Sequence, residues 1–194
     1  MAGKREALRQ ELTEKILSSA ISRVEKYGLN ELRARDITKD AGCALGTLYK
    51  CYADLDDLII HINSSTLQQL REVMEEAAGT EPNPTQRLKS LAFAYLDFAL
   101  AHQRRWEALF GHKLPNEMTT PEWHRQENIA LLAHIANALR ELDPTLSKAK
   151  LDARARTYFA AVHGIVEISL QERFVSVSGK TLRSELNNLV DRLA

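Results

Sequence analysis

Apolar side chains recur along this chain at intervals of three and four residues, the spacing of one face of an α-helix. In the first segment Leu8, Leu12, Ile16, Leu17, Ala20, Ile21, Val24 and Tyr27 share a face, and Gly28 marks its end. Two short segments follow, one from about Arg35 to Ala41 closed by Gly42, the other from about Leu45 to Tyr52. Asp54-Leu-Asp-Asp57 has the form of a helix start, with Asp54 as N-cap and acidic residues in the first turn. The fourth helix then carries Leu55, Leu58, Ile59, Ile62, Leu67, Leu70 and Met74 and ends near Gly79. Thr80-Glu-Pro-Asn-Pro-Thr85 reads as a linker. Beyond it the pattern predicts helices at roughly 86–102, 103–112, 121–142, 147–175 and 180–193, with breaks at Pro115, Pro121, Pro144 and Gly179. Alternating runs of the β type are nearly absent. The expected fold class is all-α, with about nine helices.

Composition adds limits rather than a function. With 194 residues, 44% of them apolar, the chain is long enough to bury a hydrophobic interior, and 27% charged residues argue against wholesale disorder. No run of 18 apolar residues is present, so no membrane span is expected. The start, Met1-Ala-Gly-Lys-Arg-Glu, leads into a charged amphipathic segment rather than a secretion signal. Two cysteines, Cys43 and Cys51, cannot build a disulfide framework, so a reducing cytoplasm is the expected compartment. Lys+Arg and Asp+Glu both number 26. An even balance gives no broad electrostatic case for nucleic acid, so any such case rests on local geometry.

That geometry lies between Leu32 and Tyr52. Two very short helices meet at a turn containing Gly42, a residue that tolerates φ > 0 and lets the chain reverse. Ile37, Ala41, Cys43 and Leu48 are spaced to face inward, which leaves Arg35, Lys39, Leu45, Thr47, Tyr49 and Lys50 largely outward. A helix-turn-helix works this way, with its second helix in the major groove and neighbouring groups on phosphates. Short helices around a glycine turn also occur in α proteins that bind no DNA, and spacing alone leaves both readings open.

The order Arg35-Asp-Ile-Thr-Lys-Asp-Ala-Gly42, then Gly46-Thr-Leu-Tyr49, then Asp54 and Asp57-Leu58, resembles the amino-terminal domain of tetracycline-repressor-like (TetR) transcriptional regulators over residues 10 to 60. Two shorter stretches, Ala94-Tyr-Leu-Asp-Phe-Ala-Leu-Ala-His102 and Val162-His-Gly164, are similar to the effector domain of one subgroup, though Gln103 and Phe159 stand where Pro and Trp are expected. The resemblance implies a helix-turn-helix domain over residues 1–53 and a ligand-binding and dimerisation domain over 54–194. It implies that Arg35 reaches a base edge, as Arg pairs with guanine O6 and N7, and that Thr47 and Tyr49 contact phosphate or base. Lys50 offers the backbone a point charge. Leu45 stands where a polar or basic residue is commoner, and contacts either a thymine methyl or nothing.

Several positions depart from that pattern. Ala44 replaces the polar cap of the recognition helix, forgoing on the order of 1 kcal/mol. Cys51 and Leu55 stand where a phosphate-gripping Tyr or His and a Lys are common. Asp54, Asp56 and Asp57 repel DNA if they face it. Residues 1–53 carry 10 Lys+Arg against 7 Asp+Glu, a modest surplus. These features leave room for a helical interaction module with little DNA affinity.

For the second domain the resemblance points to an effector gap between helices, with Tyr95, Phe98, His102, Trp106, Phe110, His134 and His163 as candidates and an apolar or aromatic effector carrying one hydrogen-bonding group. It also implies a homodimer through the last two helices, whose apolar rows Leu151, Ala155, Tyr158, Val162, Ile165, Val166 and Leu182, Leu186, Leu189, Val190, Leu193 serve equally to close a monomer's core. The expected partners are a double-stranded palindromic operator and a small-molecule effector. No cofactor and no metal is expected, because the six histidines show no ligand spacing and no phosphate-binding glycine loop is present. With no nucleophile–base pattern, the alternative of a small enzyme using His134 or His163 as base has little to rest on, and no catalytic residues are assigned.

Overall fold

The apolar periodicity resolves into nine α-helices and no strand among the described residues, which are 2–79, 81–115, 119–171, 176–177 and 179–193 of the computed structural model, the side chains of Ala2, Lys4 and Arg5 excepted. The helices are α1 (Ala2–Tyr27), α2 (Ala34–Ala41), α3 (Leu45–Cys51), α4 (Leu55–Ala78), α5 (Pro84–Ala101), α6 (Gln103–Gly111), α7 (Glu122–Leu142), α8 (Lys148–Leu170) and α9 (Gly179–Leu193). One feature is absent from the periodicity, a single 3-10 turn at Leu29–Glu31. Residues 172–175, the end of the helix expected over 147–175, and Thr80 of the expected linker lie outside the described residues. The fifth helix begins earlier than expected: Asn83 caps it, its side chain accepting from Gln86 N at 3.0 Å, and Pro84 takes the first position, where its fixed φ is an advantage.

By contacts the chain divides into two compact units, Met1–Thr66 with Arg104–His124, and Leu67–Gln103 with Arg125–Ala194. The amino-terminal unit thus contains α1 to α3, the first half of α4 and nearly all of α6. Its core is one cluster in which Ile16, Ala20 and Val24 of α1 meet Ile37, Ala41 and Leu48 from the two short helices, Leu58 and Ile62 of α4, and Ala108 of α6. Each Ile, Leu or Val side chain fully buried in this way stabilises the fold by roughly 1.5–3 kcal/mol.

A buried cation ties the same elements. Arg105 of α6 is only 3% exposed. Its Nε donates to Thr66 Oγ1 (3.2 Å), Nη2 to Ser65 Oγ (3.3 Å), and Nη1 to Glu25 Oε1 (3.3 Å), so α6 is bonded to both α4 and α1. A guanidinium can be buried here because its fork finds an acceptor on each side.

In the carboxy-terminal unit α5 packs against α8 and α9. Leu88, Leu91, Ala92, Tyr95, Leu96 and Ala99 of α5 are buried, as are Leu182, Leu186 and Val190 of α9. Tyr158 of α8 donates its hydroxyl to Leu88 O at 2.6 Å, which satisfies the one polar atom that its burial would otherwise strand.

The turn between α2 and α3 has a specific lock. Gly42 sits in the left-handed region at φ 67°, ψ 36°. Its N–H reaches Lys39 O (3.2 Å), and the N–H of Cys43 reaches Thr38 O (2.9 Å), the two bonds of a Schellman stop. A Cβ added at Gly42 meets nothing within 4 Å, so a substitution there strains the backbone without a clash. Gly42→Ala is therefore expected to lower unfolding free energy by about 1–2 kcal/mol, read from the midpoint of urea denaturation with an unchanged slope.

Candidate nucleic-acid interface and effector site

The candidate DNA-contacting face is built from the lock outward. Because Ile37 and Leu48 are fully buried and Ala41 nearly so, helical geometry turns the opposite sides of these helices to solvent, while Thr38 shares the buried side. Arg35 at the start of α2, Lys39, and Lys50 are exposed. Leu45 is 37% and Tyr49 50% exposed, large fractions for apolar and aromatic side chains. Thr47 is half-buried. All five DNA-facing candidates thus come from two short helices around one turn, and none is buried in the core. Ala44 occupies the N-cap of α3 at φ −73°, ψ 149° and provides no side-chain bond to it, as the sequence implies. Tyr52, beside this face, is turned in: its hydroxyl donates to Thr13 O at 3.2 Å, and burial first, with Cys51 and Asp57 adding to it, pushes its pKa up to about 12.

The acidic residues nearby are occupied with the fold's own structure. Asp54 Oδ1 accepts from Asp57 N (2.8 Å) while Asp57 Oδ2 accepts from Ala53 N (2.9 Å), a reciprocal cap at the start of α4. Asp56 Oδ1 lies 3.3 Å from His112 Nε2. On α2, Asp36 and Asp40 share one guanidinium: Arg23 of α1 reaches Asp36 at 3.1 Å and Asp40 at 2.6 Å. Arg23 and Lys26 also stand over the ring of Tyr27, at 5.2 and 5.0 Å from its centroid. The role of Arg23 is not visible in the sequence; the only hint is that its two partners stand four apart on α2, one helical turn. Cys51 and Leu55 pack, half-buried, against the core of this unit.

The effector candidates separate between the units. Trp106 and Phe110 belong to the amino-terminal unit, where their rings lie 5.2 Å apart. Tyr95, Phe98, His102, His134 and His163 belong to the carboxy-terminal one. There, Tyr95 and His163 are brought together, the Tyr95 hydroxyl 2.7 Å from His163 Nδ1. Phe98 and the exposed His102 form a second pair at 4.9 Å. His134, half-buried on α7, is not among the residues lining the gap beside Tyr95. That gap is lined by Leu91, Ala92, Tyr95, Ile135, Tyr158 and Phe159 among others, and at about 10 Å³ it has room for roughly one water. Phe159, which the sequence marks only as a departure from the subgroup, stacks on His163 at 5.6 Å and meets Tyr95 edge-on at 5.6 Å.

Chemistry fixes the tautomer of His163. Its Nε2 faces the carboxylate of Glu167 at 3.4 Å, and a carboxylate only accepts, so the proton sits on Nε2 and Nδ1 accepts from Tyr95. Burial holds the His163 pKa below the ordinary histidine value, with Glu167 opposing the shift. His112 is held down in the same way, by burial against the pull of Asp56.

Comparison with known proteins decides the family. Residues 88–193, more than half of the chain, match the family model described as "Tetracyclin repressor-like, C-terminal domain". The chain belongs to the TetR family. Structures of similar fold agree. A protein of unknown function from Rhodococcus sp. RHA1 aligns with a TM-score of 0.75 at 21% identity, covering 94% of this chain and 93% of its own. A TetR family transcription regulator from Marinobacter aquaeolei VT8 aligns at 0.67 and 15% identity, covering 100% and 98%. FadR from Bacillus subtilis, solved in complex with stearoyl-CoA, aligns at 0.63 and 16% identity, covering 93% and 96%. No curated protein sequence matches the chain. Like other TetR regulators, the protein is an all-α transcription regulator, and among the described residues no helix is long and apolar enough to cross a membrane.

The two depressed histidines give this TetR protein a signed pH response. Both bind a proton less readily when folded than their ordinary value near 6.5 allows, so the unfolded chain takes up more protons below that pH. Their contribution is complete above about pH 6.5 and is lost as pH falls through the window beneath it. Melting temperature is expected to drop between pH 7.5 and 5.5, and His112→Gln with His163→Gln to flatten that slope in a thermal scan at fixed ionic strength.

Proposed function

We propose that the protein is a ligand-responsive transcriptional repressor that binds a palindromic operator as a homodimer and is released by a small apolar or aromatic effector. The observation that carries this reading is the outward set Arg35, Leu45, Thr47, Tyr49 and Lys50 on two short helices whose inward residues are buried. Two copies place their α3 helices in successive major grooves, roughly 34 Å apart. Arg35 reads a guanine edge, Thr47 and Tyr49 engage phosphate or base, Lys50 the backbone, and Leu45 a thymine methyl.

Dimerisation through α8 and α9 is supported by what burial leaves over. Leu182, Leu186 and Val190 are spent on the unit's own core, whereas Ile165 and Leu189 remain half-buried and Ile168 is more exposed still. Ile168→Glu is accordingly expected to shift the protein from dimer to monomer by light scattering with helicity retained.

The effector reading is supported by the gap at Tyr95. Its walls are apolar and aromatic, and the Tyr95–His163 pair supplies one polar end. A ligand enlarges the gap by displacing Phe159, the half-buried wall. FadR of similar fold holds stearoyl-CoA, a ligand with a long apolar part, which fits the apolar character of these walls. Release then requires the effector to favour the state that cannot span the operator; a difference of about 1–3 kcal/mol is ordinary for such coupling.

A second reading, a helical interaction module of low DNA affinity, is favoured by the inward packing of Cys51 and Leu55, which removes two phosphate contacts. Fluorescence anisotropy with DNA from the protein's own promoter, at low and moderate salt, separates the two. The repressor reading expects salt-sensitive, sequence-dependent binding; its absence favours the module. Within the repressor reading, Arg35→Ala costs about 1–3 kcal/mol and relaxes preference at one base pair, while Lys50→Ala weakens all sequences alike and lowers the salt slope by about one.

A further inference from the structure

A larger cleft lies within the carboxy-terminal unit, between α7 and α8. One wall is a helical stripe at intervals of three and four, Ile129, Ala133, Ala136 and Arg140 of α7, and the other is formed by Lys148, Asp152, Ala155 and Arg156 of α8. It exists because three of these positions are alanine, leaving the valley between the helices unfilled. Its volume is about 270 Å³, close to the lower end of small-molecule pockets, roughly 300–1,000 Å³. The floor ends in Ile129, a large apolar side chain left 49% exposed.

The rim is positive. Arg140, Lys148 and Arg156 are all exposed, and among the described residues no ion pair or hydrogen bond engages their side chains. A single carboxylate, Asp152, lines the cleft with them. This surplus stands in a chain whose formal charge is zero. A second copy of the chain is a poor occupant, because a two-fold contact centred on the cleft brings together two rims that each carry three cations and one carboxylate. The size suits a small molecule.

We propose that the α7–α8 cleft binds a small organic anion with an apolar body, a carboxylate carried on a medium-length alkyl group. The carboxylate meets the cationic rim and the body lies along Ile129 to Ala136, a distance of about 10 Å at helical rise. None of the cleft residues lines the Tyr95 gap, and the proposal stands whether or not that gap holds the effector.

The test is a calorimetric titration of the full-length protein with sodium octanoate at low and at 0.3 M salt, with octan-1-ol and inorganic phosphate as controls. Octanoate is expected to bind once per chain and more weakly at the higher salt, and both controls to bind at least fivefold more weakly. Ala136→Phe, which fills the cleft, and Arg140→Gln with Arg156→Gln, which leaves its shape intact, each weaken octanoate at least fivefold, while Tyr95→Phe leaves it unchanged. The proposal is overturned if octanoate does not bind, if octanol or phosphate alone binds as tightly, or if the Arg pair can be replaced without loss. It is equally overturned if Tyr95→Phe abolishes binding, which puts the ligand in the other gap, or if Ala136→Phe turns a dimer into a monomer by light scattering, which makes the cleft an interface between copies.

Discussion

Helices of eight and seven residues do not persist alone in water, because a nucleus costs more than so few hydrogen bonds return. The candidate DNA-contacting face of this protein consists of two such helices. They hold their shape because Ile37, Ala41 and Leu48 are inserted among Ile16, Ala20 and Val24 of α1 and Leu58 and Ile62 of α4. The outward side chains are therefore positioned by the inward ones, and the chemistry available to DNA depends on a packing problem solved on the opposite side of the same helices.

Electrostatics are handled by the same economy. A chain with no net charge presents cations locally where its carboxylates lie elsewhere or are paired. Asp36 and Asp40 share Arg23, while Asp54 and Asp57 cap α4. Each of these contacts is half-exposed and modest in energy. Together they change what the surface offers: Arg35, Lys39 and Lys50 keep their charge toward solvent. The sequence's warning that three acidic residues repel DNA is softened by a cap that the same sequence announces in Asp54.

Most of the fold was legible because it depends on local rules. Period, glycine stops and prolines place the nine helices of the described residues to within about five residues, and Gly42 marks a reversal in keeping with its positive φ. The 3-10 turn at Leu29–Glu31 carries no periodic signal. Outward orientation of Arg35 and Tyr49 followed from the position of Ile37 and Leu48 on the same helices. The effector candidates were less legible. They were gathered from residues far apart in sequence, and nothing local says that Trp106 and Phe110 pack with the amino-terminal unit while Tyr95 and His163 meet in the other. Arg105 carries no local signal for the same reason: its acceptors stand about 40 and 80 residues away, beyond the reach of any pattern.

That clasp makes the amino-terminal unit discontinuous. Arg105 and Ala108 arrive on a segment made only after Leu67–Gln103, so the unit cannot finish assembling when its first 66 residues leave the ribosome. At about 5–20 residues per second, the wait for residues 104–124 lasts several seconds. During that interval Glu25, Ser65 and Thr66 are without their guanidinium. A fragment cut after Thr66 is left permanently in that unfinished condition, so the amino-terminal unit of this regulator is not a detachable module but is completed by chain from beyond its own boundary.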